Sequence, residues 1–260
     1  MDRFFLPPEK WSADAQTLAL EGEEAAHCGR VMRKKPGDVV EVFDGESRVG
    51  EAEILAVSKQ RVELRLQSQV DVAAPIFLTL AVGIPKGKLM ENVIQKAVEL
   101  GVTNIVPLIT AQGTVRLDER DGVKKQERWQ RTALEACKQC GQNILPEVAT
   151  PLALGDWLAT APTGSLLVGA LVEKRVPLLS CLSEIGKKGA ETTVIVGPEG
   201  DFSAKEYQAL FEAGALPVDL GPLVLRVETA AVKMISAVTL YREARRADPI
   251  STRVRESETN

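Results

Sequence analysis

VIVGPEGDFSAKEY, Val194 to Tyr207, is the stretch on which the fold turns. It begins inside TTVIVG, an apolar, β-branched run of the length of a fully buried strand, and ends in AKEY, the start of a helical pattern. Ser203 and Glu206 have the spacing of a capping box that starts that helix. Between strand and helix stands Gly197-Pro198-Glu199-Gly200, more constrained than a turn alone requires. Glycines there let the backbone approach a ligand or take positive φ, and Pro198 fixes the path between them. A buried strand leading into a helix implies a parallel sheet, and open α/β sheets place ligand crevices at the carboxyl ends of such strands.

The next strand along the chain, LPVDLG, also ends on Gly-Pro and runs into DLGPLVLRVETAA. Two consecutive strands, read as neighbours in the sheet, that present Gly-Pro loops on one rim are expected to form a pocket. The chain has no G-x-x-x-x-G-K-[ST] loop and no G-x-G-x-x-G opening a helix, so a ligand without phosphates is favoured. Arg226, a long cation inside the apolar LVLRV, is placed to stabilise negative charge on a substrate. Glu228 is a candidate proton acceptor, although a carboxylate in the first turn of the final helix is the simpler reading.

Outward from these loops the grammar divides. Before about Val72, TLAL, VVEVFDG, RVGEAEILAV and RVELRLQ alternate apolar with polar residues, broken at Pro36-Gly37-Asp38 and Asp44-Gly45, which describes a small, mainly β unit. After the patternless QSQVDVAAP, strands alternate with helices. IFLTLAVGI, NIVPLIT, SLLVGA, TTVIVG and LPVDLG read as strands. LMENVIQKAVELG, VKKQERWQRTALEACKQCGQ, AKEYQALFEAGA and VETAAVKMISAVTLYREARR read as helices, the first with Val93, Ala97 and Leu100 on one face and Gly101 as its cap. The expected organisation is 1–72, a β unit; 73–247, an α/β domain; and 248–260, a loose polar tail.

Composition narrows the classes. Of 260 residues 45% are apolar and the net charge is -4, so a core can be buried and any nucleic-acid contact must be patchy. The basic cluster Arg30, Arg33, Lys34 and Lys35 reads either as a solvated face or as a phosphate contact, and Lys86 and Lys88, in GIPKGKLMEN, sit in a loop that could face the same crevice. No apolar run reaches bilayer length and MDRFFLPPEKW lacks the features of a signal peptide, so a cytoplasmic protein with reduced thiols is expected. Cys137 and Cys140 form a C-x-x-C pair at a helix end with one histidine, His27, in the chain; no metal site is expected, and both cysteines read as packing residues beside the pocket.

HCGRVMRKKPGD with VFDG, KGKLMENVIQKAVELGV, EACKQCGQ, IVGPEGDFSAKE and LGPLVLRVETAA, in that order, resemble the RsmE family of ribosomal RNA uracil N3-methyltransferases in the SPOUT superfamily, and the likeness spans nearly the whole chain. The resemblance implies a PUA-like RNA-binding β-barrel, then an α/β domain with a SPOUT-type parallel sheet and a C-terminal trefoil knot, and a homodimer acting on 16S ribosomal RNA or the small ribosomal subunit. It implies S-adenosylmethionine as methyl donor, held by Leu171, Gly197, Pro198, Glu199, Gly200, Leu220, Gly221, Leu225 and Arg226. Arg226, then Glu228, are the catalytic candidates, and Arg30, Arg33, Lys34, Lys35, Lys86 and Lys88 the RNA contacts. The chain departs from the family pattern where Asp201 replaces glycine, Leu223 and Gln142 replace arginine, Ala111 and Gln112 replace a Glu-Arg pair, and Lys138 replaces an acidic residue. Asp201 in particular brings a carboxylate to the loop.

Overall fold

The structure is a computed structural model describing residues 1–11, 17–72, 77–113, 117–182 and 191–246; the tail expected at 248–260 lies outside them. Its first unit contains β1 (Arg3–Phe5), β2 (Thr17–Glu21), α1 (Gly22–Ala26), β3 (Val39–Phe43), β4 (Arg48–Val57) and β5 (Arg61–Asp71). The strands form one sheet ordered β1-β3-β4-β5-β2, antiparallel except where β1 lies parallel to β3. Breaks in the β4–β5 register at Glu51/Ala52 and Ile54/Ala56 are bulges, which bend a sheet and increase its twist. The alternation in TLAL, VVEV and RVELRL delivers Leu18, Leu20, Val40, Val42, Val62 and Leu64 to a single core with Phe4, Trp11 and Ile54. EEAAHCGRVMR, whose apolar residues have helical spacing, forms α1 followed by a π-helical turn over His27–Val31.

The second unit comprises β6 (Leu78–Gly83), α2 (Leu89–Glu99), β7 (Asn104–Ile109), α3 (Glu119–Cys140), β8 (Glu147–Val148), β9 (Leu152–Ala153), α4 (Leu154–Ala159) and β10 (Ser165–Gly169). It continues with β11 (Val176–Pro177), α5 (Leu178–Leu182), β12 (Thr192–Val196), α6 (Ala204–Glu212), β13 (Leu216–Asp219) and α7 (Val227–Arg246). All strands are parallel, in the order β11-β13-β10-β12-β6-β7-β8, with β9 also against β7. Period-two alternation in fully buried strands splits their side chains between two cores. Leu80, Val82, Val194 and Val196 face α2, α3, α5 and α7, while Ala81, Ile195 and Val168 face α4 and α6. The α/β class, the parallel sheet and the preceding β unit are therefore as the sequence led one to expect. β1, β8, β9, β11, α4 and α5 are additions, each of six residues or fewer and too short for periodicity to register.

The two units share a junction. Phe43 of β3 is buried in the core of the second unit, with Phe5, Val49 and Leu145 packed against the same core. Arg3, 8% exposed, lies over the Phe43 ring at 4.1 Å, donates to the Cys137 carbonyl at 3.2 Å and bonds the Asn143 side chain. Its Nε is 2.7 Å from Glu41 Oε1, within ion-pair range although the N–H is not aimed at that oxygen. Lys138 of α3 pairs with Glu24 of α1 and with Glu135, and Glu24 also accepts the Phe5 N–H.

Candidate active site

A cleft of about 300 Å³ opens at the carboxyl ends of β10, β12 and β13. Gly169, Ala170 and Leu171 form one wall, Val196 to Glu199 with Asp201 a second, and Asp219 to Gly221 with Leu223 to Val227 a third. The expectation that the two Gly-Pro loops spring from adjacent strands is corrected here. β10 lies between β12 and β13, because the chain inserts β12 beside β6 and then crosses to the far side of β10. The pocket is consequently three-walled. SLLVGA supplies the third wall, for which the sequence offered Leu171 through the family resemblance and, as a further signal, its terminal Gly169. A β-carbon at Gly169 would stand 3.1 Å from Met234 Sδ and 3.2 Å from Leu220 Cδ1, so that floor is filled to the limit.

The constraint in Gly197–Gly200 has a physical cause. Asp201 N donates to the Pro198 carbonyl at 2.9 Å, closing a tight turn, and Asp201 itself is held at φ +61°. Three neighbouring loops then hang on side chains of this one segment. Lys86 N, after β6, donates to Glu199 Oε1 at 2.9 Å; Ala111 N, after β7, donates to Glu206 Oε1 at 2.7 Å; Leu171 N, after β10, donates to the Tyr207 hydroxyl at 3.3 Å. Glu206 simultaneously completes the capping box, its Oε2 accepting from Ser203 N at 2.8 Å and Ser203 Oγ accepting from Glu206 N. The constraint serves a hub, beyond the turn itself.

The candidates of the sequence fall in different places. Leu171, Gly197, Pro198, Glu199, Leu220, Gly221, Leu225 and Arg226 all line the cleft. Gly200 does not; it turns to the 111–113 segment, where an added β-carbon would meet the Gln112 carbonyl at 3.0 Å. Glu228 stands in the first turn of α7, outside the lining. Gly221 uses a positive φ of 104° and donates to Asp219 Oδ1 at 2.9 Å. That bond, ahead of the nearby Arg175, lowers the Asp219 carboxyl from its ordinary value. Arg175 is thereby engaged, whereas the guanidinium of Arg226, just ahead of α7, has no hydrogen-bond or ion-pair partner among the described residues; only its carbonyl is used, accepting from Ala230 N at 2.8 Å.

Lys86 and Lys88 are exposed on the loop that Glu199 pins beside the cleft. Arg30, Arg33 and Lys35 are exposed on the first unit, but Lys34 is partly buried and paired with Asp2 at 2.5 Å. Neither cysteine of C-x-x-C lines the cleft, which corrects the expectation that they pack beside it. Cys137 is buried at the junction beneath Arg3, where burial pushes its thiol up to about 12, and Cys140 is exposed. They sit a turn apart near the end of α3, on opposite sides of its buried boundary. No group of three or more potential metal-ligating side chains occurs among the described residues. Of the departures, Gln142 lies at the junction, Leu223 is 73% exposed on the cleft rim, and the Asp201 carboxylate accepts the Tyr207 hydroxyl proton at 2.8 Å.

A family model described as an RNA methyltransferase domain matches residues 72–239, and one described as an RNA methyltransferase PUA domain matches residues 20–67. The fold is thus that of a PUA-linked RNA methyltransferase. Ribosomal RNA small subunit methyltransferase E of Bacillus subtilis is 31% identical over 255 residues, covering 95% of this chain and 100% of its own. A methyltransferase of Legionella pneumophila, solved with bound cofactor SAM, superposes with a TM-score of 0.80 at 33% identity, over 94% of this chain and 97% of that one. The methyltransferase E of Neisseria gonorrhoeae, bound to S-adenosyl methionine, gives 0.81 at 32% identity over 91% and 96%. The chain belongs to the RsmE family of ribosomal RNA small subunit methyltransferases.

Proposed function

We propose that this chain binds S-adenosylmethionine in the three-walled cleft and methylates N3 of a uridine in 16S ribosomal RNA. The observation that carries the reading is the cleft itself, built at the carboxyl rim of a parallel sheet from backbone-rich loops, in a chain similar along its length to proteins solved with that cofactor. The residues fit the group. The walls offer apolar side chains, Ala170, Leu171, Val196, Leu220, Leu223 and Leu225, beside glycines whose main chain is open to a ligand, and no phosphate-binding loop. Leu171, Gly197, Pro198, Glu199, Leu220, Gly221 and Leu225 would hold it. The cofactor supplies an activated methyl group, so positioning dominates what the protein must add.

Uracil N3 carries a proton that must leave before it can accept a methyl group. Arg226, a cleft cation with no described partner, stabilises the anion that results. Glu228 remains the weaker candidate for base, since it stands outside the lining, and solvent serves the same role. The exposed Arg30, Arg33 and Lys35, with Lys86 and Lys88, hold the RNA backbone, and Lys34 contributes less because Asp2 already neutralises it. A homodimer belongs to this reading, supported by Leu179, Leu223, Val224 and Leu240, each 64% exposed or more; the trefoil knot implied by the family resemblance belongs to it as well. No described helix is long and apolar enough to cross a membrane, in keeping with action in the cytoplasm.

Mass spectrometry of 16S ribosomal RNA from a deletion strain tests the reading. Loss of N3-methyluridine, restored by the wild-type chain, is expected; unchanged N3-methyluridine overturns it. A different target nucleotide is the second reading, favoured by the apolar Leu223 on the rim and by Gln112 packed on Gly200. In that case the same digest loses another methylated nucleotide.

A further inference from the structure

We infer that Tyr207 is a positioning residue for methyl transfer: its phenol, behind the cleft, sets the gap between the loop after β10 and the turn after β12, and thereby the affinity for the methyl donor. The inference rests on the methyltransferase reading above. Tyr207 is 7% exposed, in the first turn of α6, and does not line the cleft. Its hydroxyl donates to Asp201 Oδ1 at 2.8 Å and accepts from Leu171 N at 3.3 Å. Asp201 and Leu171 do line the cleft, on loops that follow different strands. One oxygen atom therefore spans two walls.

The ring cannot follow one wall without losing the other. It stands edge-on to Phe202 with centroids 5.5 Å apart and stacks on Phe211 at 5.7 Å. Asp201 completes the device from the opposite side. A side chain at φ +61° is held against its preference, and Oδ1 stands 3.1 Å from where a β-carbon on Gly197 would be, so any larger residue at 197 would press on the carboxylate. Burial first, then the bond to Asp201, raises the Tyr207 phenol above its ordinary value, so the hydroxyl keeps its proton and remains a donor at neutral pH. Arg175 ties the same β10 loop to Asp219 on the third wall and to the Val172 carbonyl. Tyr207 and Arg175 thus hold that loop from its two sides, one toward each Gly-Pro loop.

Tyr207→Phe removes a single oxygen and leaves the ring packing. Calorimetry with S-adenosylmethionine and steady-state methylation of ribosomal RNA are to be measured on the wild-type chain, Tyr207→Phe, Asp201→Ala and the double variant. For Tyr207→Phe the dissociation constant and KM for the cofactor are expected to rise about tenfold with kcat nearly unchanged, a split that a general loss of folded protein does not produce. The double variant is expected to lose little more than Asp201→Ala alone, the non-additivity of a shared bond. Unchanged affinity and KM in Tyr207→Phe, with the wild type binding, overturn the positioning role. An equal loss in kcat and KM accompanied by a lower Tm also overturns it. A wild-type chain that binds no cofactor overturns the parent reading instead, so the two failures are told apart.

Discussion

Pro198 is seated directly on Gly83: a β-carbon at residue 83 would lie 2.5 Å from both the Cδ and the backbone N of Pro198. The contact presses the turn after β12 onto the end of β6, its neighbour in the sheet, and the Glu199–Lys86 bond continues it one step outward. Because the obstructing atoms belong to a proline ring and a main chain, they cannot swing aside. Gly83→Ala is expected to cost about 1–3 kcal/mol by overpacking, with a lower Tm. It should also weaken S-adenosylmethionine binding by calorimetry, since Pro198 and Glu199 form a cleft wall.

Arg226 separates chemistry from binding. If its guanidinium stabilises charge that appears on the base during reaction, Arg226→Ala lowers kcat by roughly 10²–10³, the scale of losing one electrostatic stabiliser, while the cofactor dissociation constant changes little. Single-turnover kinetics beside calorimetry read the two separately. Equal losses in both would reassign Arg226 to holding the cofactor. Glu228→Gln is expected to leave more activity than Arg226→Ala, because Glu228 stands in the first turn of α7 and does not line the cleft.

What could be read from the sequence, and what could not, follows from the range of the forces involved. TTVIV, SLLVGA and the Ser203/Glu206 spacing report local propensities, so strands, helices and the capping box emerge from a window of a few residues. Strand order is decided by packing between distant segments. Nothing in LPVDLG indicates that β13 crosses beyond β10, so two loops looked adjacent, and the glycine that ends SLLVGA does not by itself place a third wall between them. The Glu199–Lys86, Glu206–Ala111 and Tyr207–Leu171 bonds join residues 113, 95 and 36 positions apart, invisible to any local pattern. Asp201 looked like a disturbance in the loop because Tyr207, which receives it, reads as an ordinary apolar position of a helix.

Asp44 predicts a pH dependence for the first unit. Its Oδ1 accepts from the N–H groups of Glu46, Ser47 and Arg48 at 2.8–2.9 Å, and its Oδ2 meets Arg48 Nε at 2.7 Å. Burial alone would raise the carboxyl, but the Arg48 backbone and guanidinium with the other two N–H groups outweigh it and hold it below its ordinary value. A depressed folded-state pKa adds stability that is fully present above the unfolded value, about 3.9, and is lost as pH falls through the folded value. Tm should therefore fall more steeply below about pH 4 in the wild type than in Asp44→Asn. At neutral pH that variant is expected to be less stable by about 1–3 kcal/mol.

Lys138, where the family pattern carries an acidic residue, sits at the junction with 8% of its side chain exposed, paired with Glu24 and with Glu135 at 2.9 Å. Burial works against the ammonium, but the two carboxylates outweigh it and raise its pKa, so Lys138 is charged throughout the working range. Lys138→Met leaves Glu24, 16% exposed in its side chain, without its cation. Removing one partner of a buried pair costs on the order of 3 kcal/mol, and here the loss falls between the units. The cleft lies at the carboxyl ends of β10, β12 and β13, on the far side of β6 and β7 from β8, whereas α3 packs on β8 and β1. Cofactor affinity by calorimetry should accordingly remain at the wild-type value while RNA affinity in a filter-binding assay weakens, because the cations of the first unit and Lys86 and Lys88 of the second would no longer be held in register. Equal RNA affinity in Lys138→Met and wild type would show that the junction is fixed by Arg3 and Phe43 without it.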